Sequence, residues 1–194
     1  MKKILLYVLA LGAVVGCQKS EPDLVFDKTA SERMEATKQE LRQTLSSAPN
    51  GWKLTYFPVK GFFGGFTFLM KFNPNGRVTM TSDIENTFEL RESSYQIQEG
   101  QGPLLVFTTK NYIHDLADSS SPRDLMPSGY LGEFQFVYFG KEGNKLKFRT
   151  QRKDTEQFVY FEPATAGEWN SMEAYHNVAT AISGSYYAKV ITSA

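Results

Sequence analysis

One thiol, two imidazoles and a large set of aromatic rings are the groups in this sequence with chemistry to offer. Cys17 is the only cysteine in 194 residues, so an internal disulfide and a thiolate metal cage are both excluded. A lone thiolate can still accept a diacylglyceryl group as a thioether. His114-Asp115 stands shortly before Ser119-Ser120-Ser121, which are the residue types of a hydrolytic triad. A nucleophile needs a rigid, oriented base, and a polar loop supplies neither by itself. Glu173-x-x-His176 has the helical spacing of half a di-iron motif. A β-rich chain lacks the other carboxylate-bearing helices, so a helix surface is the expected role. No phosphate-cradling glycine loop and no zinc-protease helix is present. The acidic residues leave many conceivable catalytic pairs, but no motif points to one. The reading is therefore no catalytic residue, no metal ligand set and no cofactor.

The rings are more informative. Phe, Tyr and Trp make up 14% of the chain. Most are expected to fill a core. Four are candidates for ligand contact: Phe62 and Phe63 in a glycine-flanked loop, and Tyr112 and Tyr130 bracketing a long loop. Rings at a rim can stack on a sugar or shield an apolar ligand. The plainer alternative is that they anchor their loops.

The N-terminus must deliver these groups to their compartment. Lys2 and Lys3 precede the apolar run Ile4 to Val15, which suits a signal peptide and is too short to span a bilayer. Val14-Val15-Gly16-Cys17 resembles the bacterial lipobox, in which small residues admit the lipoprotein signal peptidase. Residues 1–16 are therefore read as a signal peptide, Cys17 as the lipidation site, and residues 17–26 as a lipidated tether. Several acyl chains, palmitate among them, would hold the protein stably on a membrane. No Asp follows at the second position after the cysteine. The stretch Gln18-Lys19-Ser20-Glu21-Pro22-Asp23 resembles the surface-export signal of Bacteroidetes lipoproteins, and the expected location is the outer membrane, on its outer face. Loss of Lys2 and Lys3 leaves 19 basic against 21 acidic residues and a net charge near −2. With no basic cluster, nucleic acid is an unsuitable partner.

The elements that position the rings follow from periodicity. Thr29 and Glu32 fit a capping box, and Met34, Leu41 and Leu45 fall on one side of the helix it opens. Ala48-Pro49-Asn50-Gly51 ends that helix. From Trp52 to Phe161 the period is two. Trp52, Leu54 and Tyr56 form one strand. Phe66 to Phe72 and Val78 to Met80 form a hairpin across Asn73-Pro74-Asn75-Gly76. Phe88 with Leu90, Tyr95 with Ile97, and Leu104 to Phe107 follow. Phe134 to Tyr138, Leu146 to Thr150 and Gln157 to Phe161 complete eight or nine short strands. The turns are mostly hairpin-sized, which favours an antiparallel up-and-down, lipocalin-like barrel over a two-sheet β-sandwich. The fold is thus mainly β, with an N-terminal helix packed on the barrel. Only the connection from Asn111 to Gly132 is long, an Ω-type loop over one barrel end. The barrel domain is expected over residues 27–163. Residues 164–194 read as a C-terminal helix stopped by Gly184, then a short strand from Ser185 to Ile191, and are a candidate truncated second module.

Several stretches carry a family resemblance. They are Val25-Phe26-Asp27-Lys28 with Ala30-Ser31-Glu32-Arg33-Met34, and Ser47-Ala48-Pro49-Asn50-Gly51-Trp52. Others are Gly64-Gly65-Phe66, Met70-Lys71-Phe72, Asn75-Gly76 and Gly129-Tyr130-Leu131-Gly132-Glu133-Phe134. From Asp23 to about Tyr175 the chain resembles the Bacteroidetes surface lipoproteins known as domain of unknown function 4302. The resemblance implies a place among outer-membrane nutrient-uptake lipoproteins and implies no activity. The expected function is a non-enzymatic, lipid-anchored surface module. It would bind importer components, a glycan or an apolar small ligand. A cell-envelope hydrolase and a purely structural fragment are the alternatives.

Overall fold

The computed structural model describes residues 27–84, 88–120 and 129–192. The expected signal peptide, the lipidation site Cys17 and the tether to residue 26 lie outside the described residues. The described residues fall into two units divided after Arg33. In the first, Thr29 and Glu32 make the expected capping box: the Thr29 amide donates to Glu32 Oε2 at 2.8 Å, and the Glu32 amide donates to Thr29 Oγ1 at 3.2 Å. This opens α1 (Ala30–Ser47).

The second unit carries eight strands: β1 (Trp52–Tyr56), β2 (Phe66–Phe72), β3 (Arg77–Ser82), β4 (Arg91–Glu99), β5 (Pro103–Phe107), β6 (Gln135–Glu142), β7 (Lys145–Thr150) and β8 (Phe158–Pro163). Each pairs antiparallel with the next, and β8 returns to β1 through Trp52↔Pro163, Lys53↔Glu162 and Leu54↔Phe161. The result is a closed up-and-down barrel, and the two-sheet alternative is set aside by that seam. Leu54, Phe68, Met80, Tyr95, Phe107, Phe136, Phe148 and Phe161, one from each strand, meet in a single buried core. Alternation puts them there, because successive side chains of a strand point to opposite faces. The Phe161 ring lies 4.5 Å from Phe148 and 6.0 Å from Phe136, so the interior is filled by rings.

Both barrel ends are covered. Leu41 and Leu45 of α1 join the core, and Trp52 Nε1 donates to the Leu45 carbonyl at 2.9 Å. Gly51 turns the chain from α1 into β1 with φ of 71°, and a Cβ there would stand 2.2 Å from the Met70 carbonyl oxygen. Only glycine fits both demands. At the opposite end the short helix α2 (Tyr112–Asp115) inserts Tyr112 and Ile113, followed by Leu116. The long connection closes on itself where the Gly132 amide donates to the Leu116 carbonyl at 2.7 Å.

Three local expectations are corrected. Phe88 and Leu90 form no strand. Phe88 packs instead with Leu69, Met172 and Trp169 outside the barrel. The strand expected over Phe134 to Tyr138 runs on to Glu142. Gly140, with φ of 98°, accommodates a register shift between Tyr138 and Lys141, and the turn falls at Gly143-Asn144. Gly184 stops no helix, because α3 (Ala166–Thr192) continues through it and replaces the expected strand at Ser185 to Ile191. One glycine costs a helix only about 1 kcal/mol, too little by itself to end one.

Candidate functional site

Three of the four rings singled out from sequence come together. Phe62 and Phe63 pack edge to face with centroids 5.1 Å apart. Phe63 meets Tyr130 at 5.2 Å, and Tyr130 meets Phe66 at 4.9 Å, again edge to face. The ladder thus runs from a loop tip, Phe62, which is 67% exposed, to a residue packed on the core. The neighbouring glycines explain how the loop is set. Val59 accepts from the Phe62 amide at 3.1 Å in a tight turn. The Phe57 ring lies over Gly65, where a Cβ would stand 2.6 Å from it. Gln157 Nε2 holds the same loop by donating to the Phe57 carbonyl at 2.6 Å.

Tyr112 does not belong to this rim. It is fully buried, its hydroxyl donates to the Glu89 carbonyl at 3.0 Å, and the Arg91 guanidinium sits 4.0 Å above its ring. A ring without exposed surface offers no contact to an external ligand, so Tyr112 is a plug of the barrel end. Among the described residues, four exposed rings lie outside the candidates drawn from sequence: Phe57, Tyr175, and the pair Phe139 on β6 and Phe158 on β8, edge to face at 5.3 Å on the outer wall. Arg149 lies 5.1 Å from the Phe139 ring and Lys147 lies 4.6 Å from the Phe158 ring. Outward alternation is the available signal for this pair, since Phe139 follows the inward Tyr138 and Phe158 precedes the inward Val159.

Both histidines are structural. His114 Nε2 is 3.0 Å from the Phe107 carbonyl, and its Nδ1 accepts from the Asn111 amide at 3.2 Å. The imidazole also stacks on Phe134 at 4.7 Å. Desolvation holds its pKa below the ordinary histidine value. Protonation of Nδ1 would also set two N–H groups against each other. Asp115 pairs with Lys110 and Arg91 at 3.4 and 3.8 Å, and Ser120 Oγ donates to Asp118 at 2.7 Å. Asp115, Ser120 and His114 thus face other partners, while Ser121 lies outside the described residues. The helix-surface expectation holds for Glu173 and fails for His176. His176 is 3% exposed, with Nε2 3.0 Å from the Ser82 carbonyl. Among the described residues no three His, Cys, Asp or Glu side chains converge to hold a metal ion. No described helix is long and apolar enough to cross a membrane.

A family model described as a domain of unknown function (DUF4302) matches residues 22–192. The chain belongs to this family. The DUF4302 match takes in α1, all eight strands and α3, and so extends beyond Tyr175, where the motif resemblance ended. Two of the motifs that carry the DUF4302 resemblance now have structural roles: Ser47 to Trp52 is the exit of α1 onto β1, and Gly129 to Phe134 is the return of the long loop. No curated protein and no solved structure matches the chain.

Proposed function

We propose that this DUF4302 protein is a lipid-anchored module of the bacterial cell surface. In this reading it binds a glycan, an apolar small ligand or an importer component as a non-enzymatic accessory of outer-membrane nutrient uptake. Lipid on Cys17 tethers it to the outer membrane of a Bacteroidetes-type envelope. The observation that carries the binding reading is the ladder Phe62–Phe63–Tyr130. The barrel interior is filled with rings and covered at both ends, so recognition falls to the outer surface. At the rim, the exposed Phe62 and the half-buried Phe63 and Tyr130 brace one another edge to face, which limits the entropy lost when a flat or apolar partner settles on them.

Purified lipidated protein screened against glycan, peptide and hydrophobic panels is the direct test. Truncation of Phe62 or Phe63 to Ala should weaken the binding found by about 2- to 12-fold, from about 0.5–1.5 kcal/mol per ring contact. Silence on every panel, with no membrane component co-purifying, refutes the binding role. Anchoring is tested by labelling with an alkyne fatty acid, which Cys17→Ser should abolish.

A further inference from the structure

A second site lies on the barrel wall, away from the rim. The first turns of α3 run along the outside of β1–β3. Trp169 Nε1 donates to the Asn50 carbonyl at 2.8 Å, Met172 packs on Leu69, and His176 is tied to Ser82. Between helix and wall lies a groove of about 330 Å³, with Lys53, Thr67, Asp83, Glu168, Ser171 and Tyr175 among its walls.

Among the residues that line this groove one cation, Lys53, stands against two carboxylates, Glu168 and Asp83, with Lys71 beside it over the Trp169 ring. Lys53 Nζ is 2.6 Å from Glu168 and 3.7 Å from Glu162, and Lys145 also pairs with Glu162. Two cations thus balance two carboxylates. Asp83 is left over. Its Oδ1 accepts from the Thr67 amide at 2.8 Å, and among the described residues it has no ion-pair partner. The His176 imidazole acts on it from α3, while Lys53 and Glu168 share the groove with it. Burial raises the Asp83 carboxyl above its ordinary value, outweighing the hydrogen bonds from Thr67 and the charge of the His176 imidazole, which lower it.

The remaining walls suit a particular kind of cation. Tyr175 is 59% exposed, and its ring is braced edge to face against His176 at 6.0 Å. Thr67 and Ser171 add polar groups. The volume is at the lower end for small-ligand sites, enough for a single ring. We propose that this groove binds a hydroxylated single-ring cation of the amino-sugar class, with its ammonium on Asp83 and its ring against Tyr175. A charge-assisted hydrogen bond to Asp83 supplies the strongest contact, and the C–H face of the sugar ring packs on the apolar face of Tyr175. The site uses none of the rim residues and does not depend on the rim reading.

The test is a titration of the full chain in mild detergent, followed by ¹H–¹⁵N spectra. Glucosamine should move the amide signals of Thr67, Asp83, Ser171 and Tyr175. N-acetylglucosamine and glucose, which lack the charge, should leave them in place. Asp83→Asn keeps an acceptor for the Thr67 amide and should weaken glucosamine at least tenfold. Tyr175→Ala, at an exposed position, should weaken it severalfold, and Phe62→Ala should change nothing. The proposal is overturned by equal shifts from a neutral sugar, by no shift with glucosamine, or by unchanged affinity in Asp83→Asn. It is overturned also if an Nα-blocked lysine amide, an ammonium without a sugar ring, binds as tightly as glucosamine.

Discussion

Replacing Phe161 with Ala asks whether the barrel is solid. Phe161 is fully buried and lies 4.5, 6.0 and 6.5 Å from Phe148, Phe136 and Phe72. Trimming it to a methyl removes about 100 Å³, and at about 24 cal/mol per Å³ of unfilled cavity this costs about 2.4 kcal/mol. Lost transfer free energy of the ring adds about 2 kcal/mol. The total, about 4 kcal/mol, lies within the range of about 3–5 kcal/mol typical of Phe→Ala in cores. For a chain of this size that lowers Tm by about 8–16 °C. The assay is thermal and urea unfolding followed by circular dichroism, with Phe161→Leu as a milder variant of intermediate stability. Benzene should raise the Tm of Phe161→Ala and leave that of the parent unchanged, because an apolar cavity of this kind stays dry and accepts small aromatic molecules. A loss below about 1.5 kcal/mol, together with no benzene response, would show a loosely filled or hydrated interior. The interior would then be open to a ligand, and recognition would not be confined to the outer surface.

Three further outcomes follow from the geometry. His114 titrates below the ordinary histidine value when folded, so the unfolded chain binds its proton first as pH falls. Its stabilising contribution is full above about pH 6.5 and is lost as pH drops from there toward the folded pKa; His114→Gln should flatten that slope in urea unfolding. Gly132→Ala would place a methyl 2.6 Å from Leu116 Cβ and 2.9 Å from its carbonyl oxygen. The urea midpoint should show a loss of about 1–3 kcal/mol from this overpacking. Lys53→Met breaks two partly exposed ion pairs, with Glu168 and Glu162, and should cost less than about 1 kcal/mol in the same assay.

Much of the barrel was legible because a strand with one buried face writes its register as alternation. Trp52-Leu54-Tyr56 and Phe68-Met70-Phe72 are inward rows, and Asn73 to Gly76 is the hairpin turn that joins β2 to β3. The α1 stripe of Leu41 and Leu45 was equally plain. Alternation misled where a residue was buried by something other than the barrel. Phe88 has the look of an inward strand residue, yet α3 covers it. Tyr112 illustrates the converse, since a ring in a long loop proved to be a plug. The rim ladder was half legible: glycine-flanked phenylalanines announced exposure, but their meeting with Tyr130 depends on a contact across the long loop. Asp83 carried no signal. Its isolation arises only once α3 lies against β2 and β3, and no local pattern records which carboxylates find a cation in the fold.

The seam between β1 and β8 bears on how the chain reaches its native state. Trp52 to Leu54 must find partners at Phe161 to Pro163, near the far end of the domain. A contact so distant in sequence carries a high loop-closure entropy and forms slowly. Until β8 is available, β1 presents bare amides and carbonyls that can pair with another chain. After closure, the Ala164 amide donates to the Gly51 carbonyl at 2.9 Å and Trp169 reaches Asn50, which clasps the joint from outside. A chain interrupted before Phe158 would keep two open edges instead of none. Its expected fate is self-association, so the last strand protects every preceding one from aggregation.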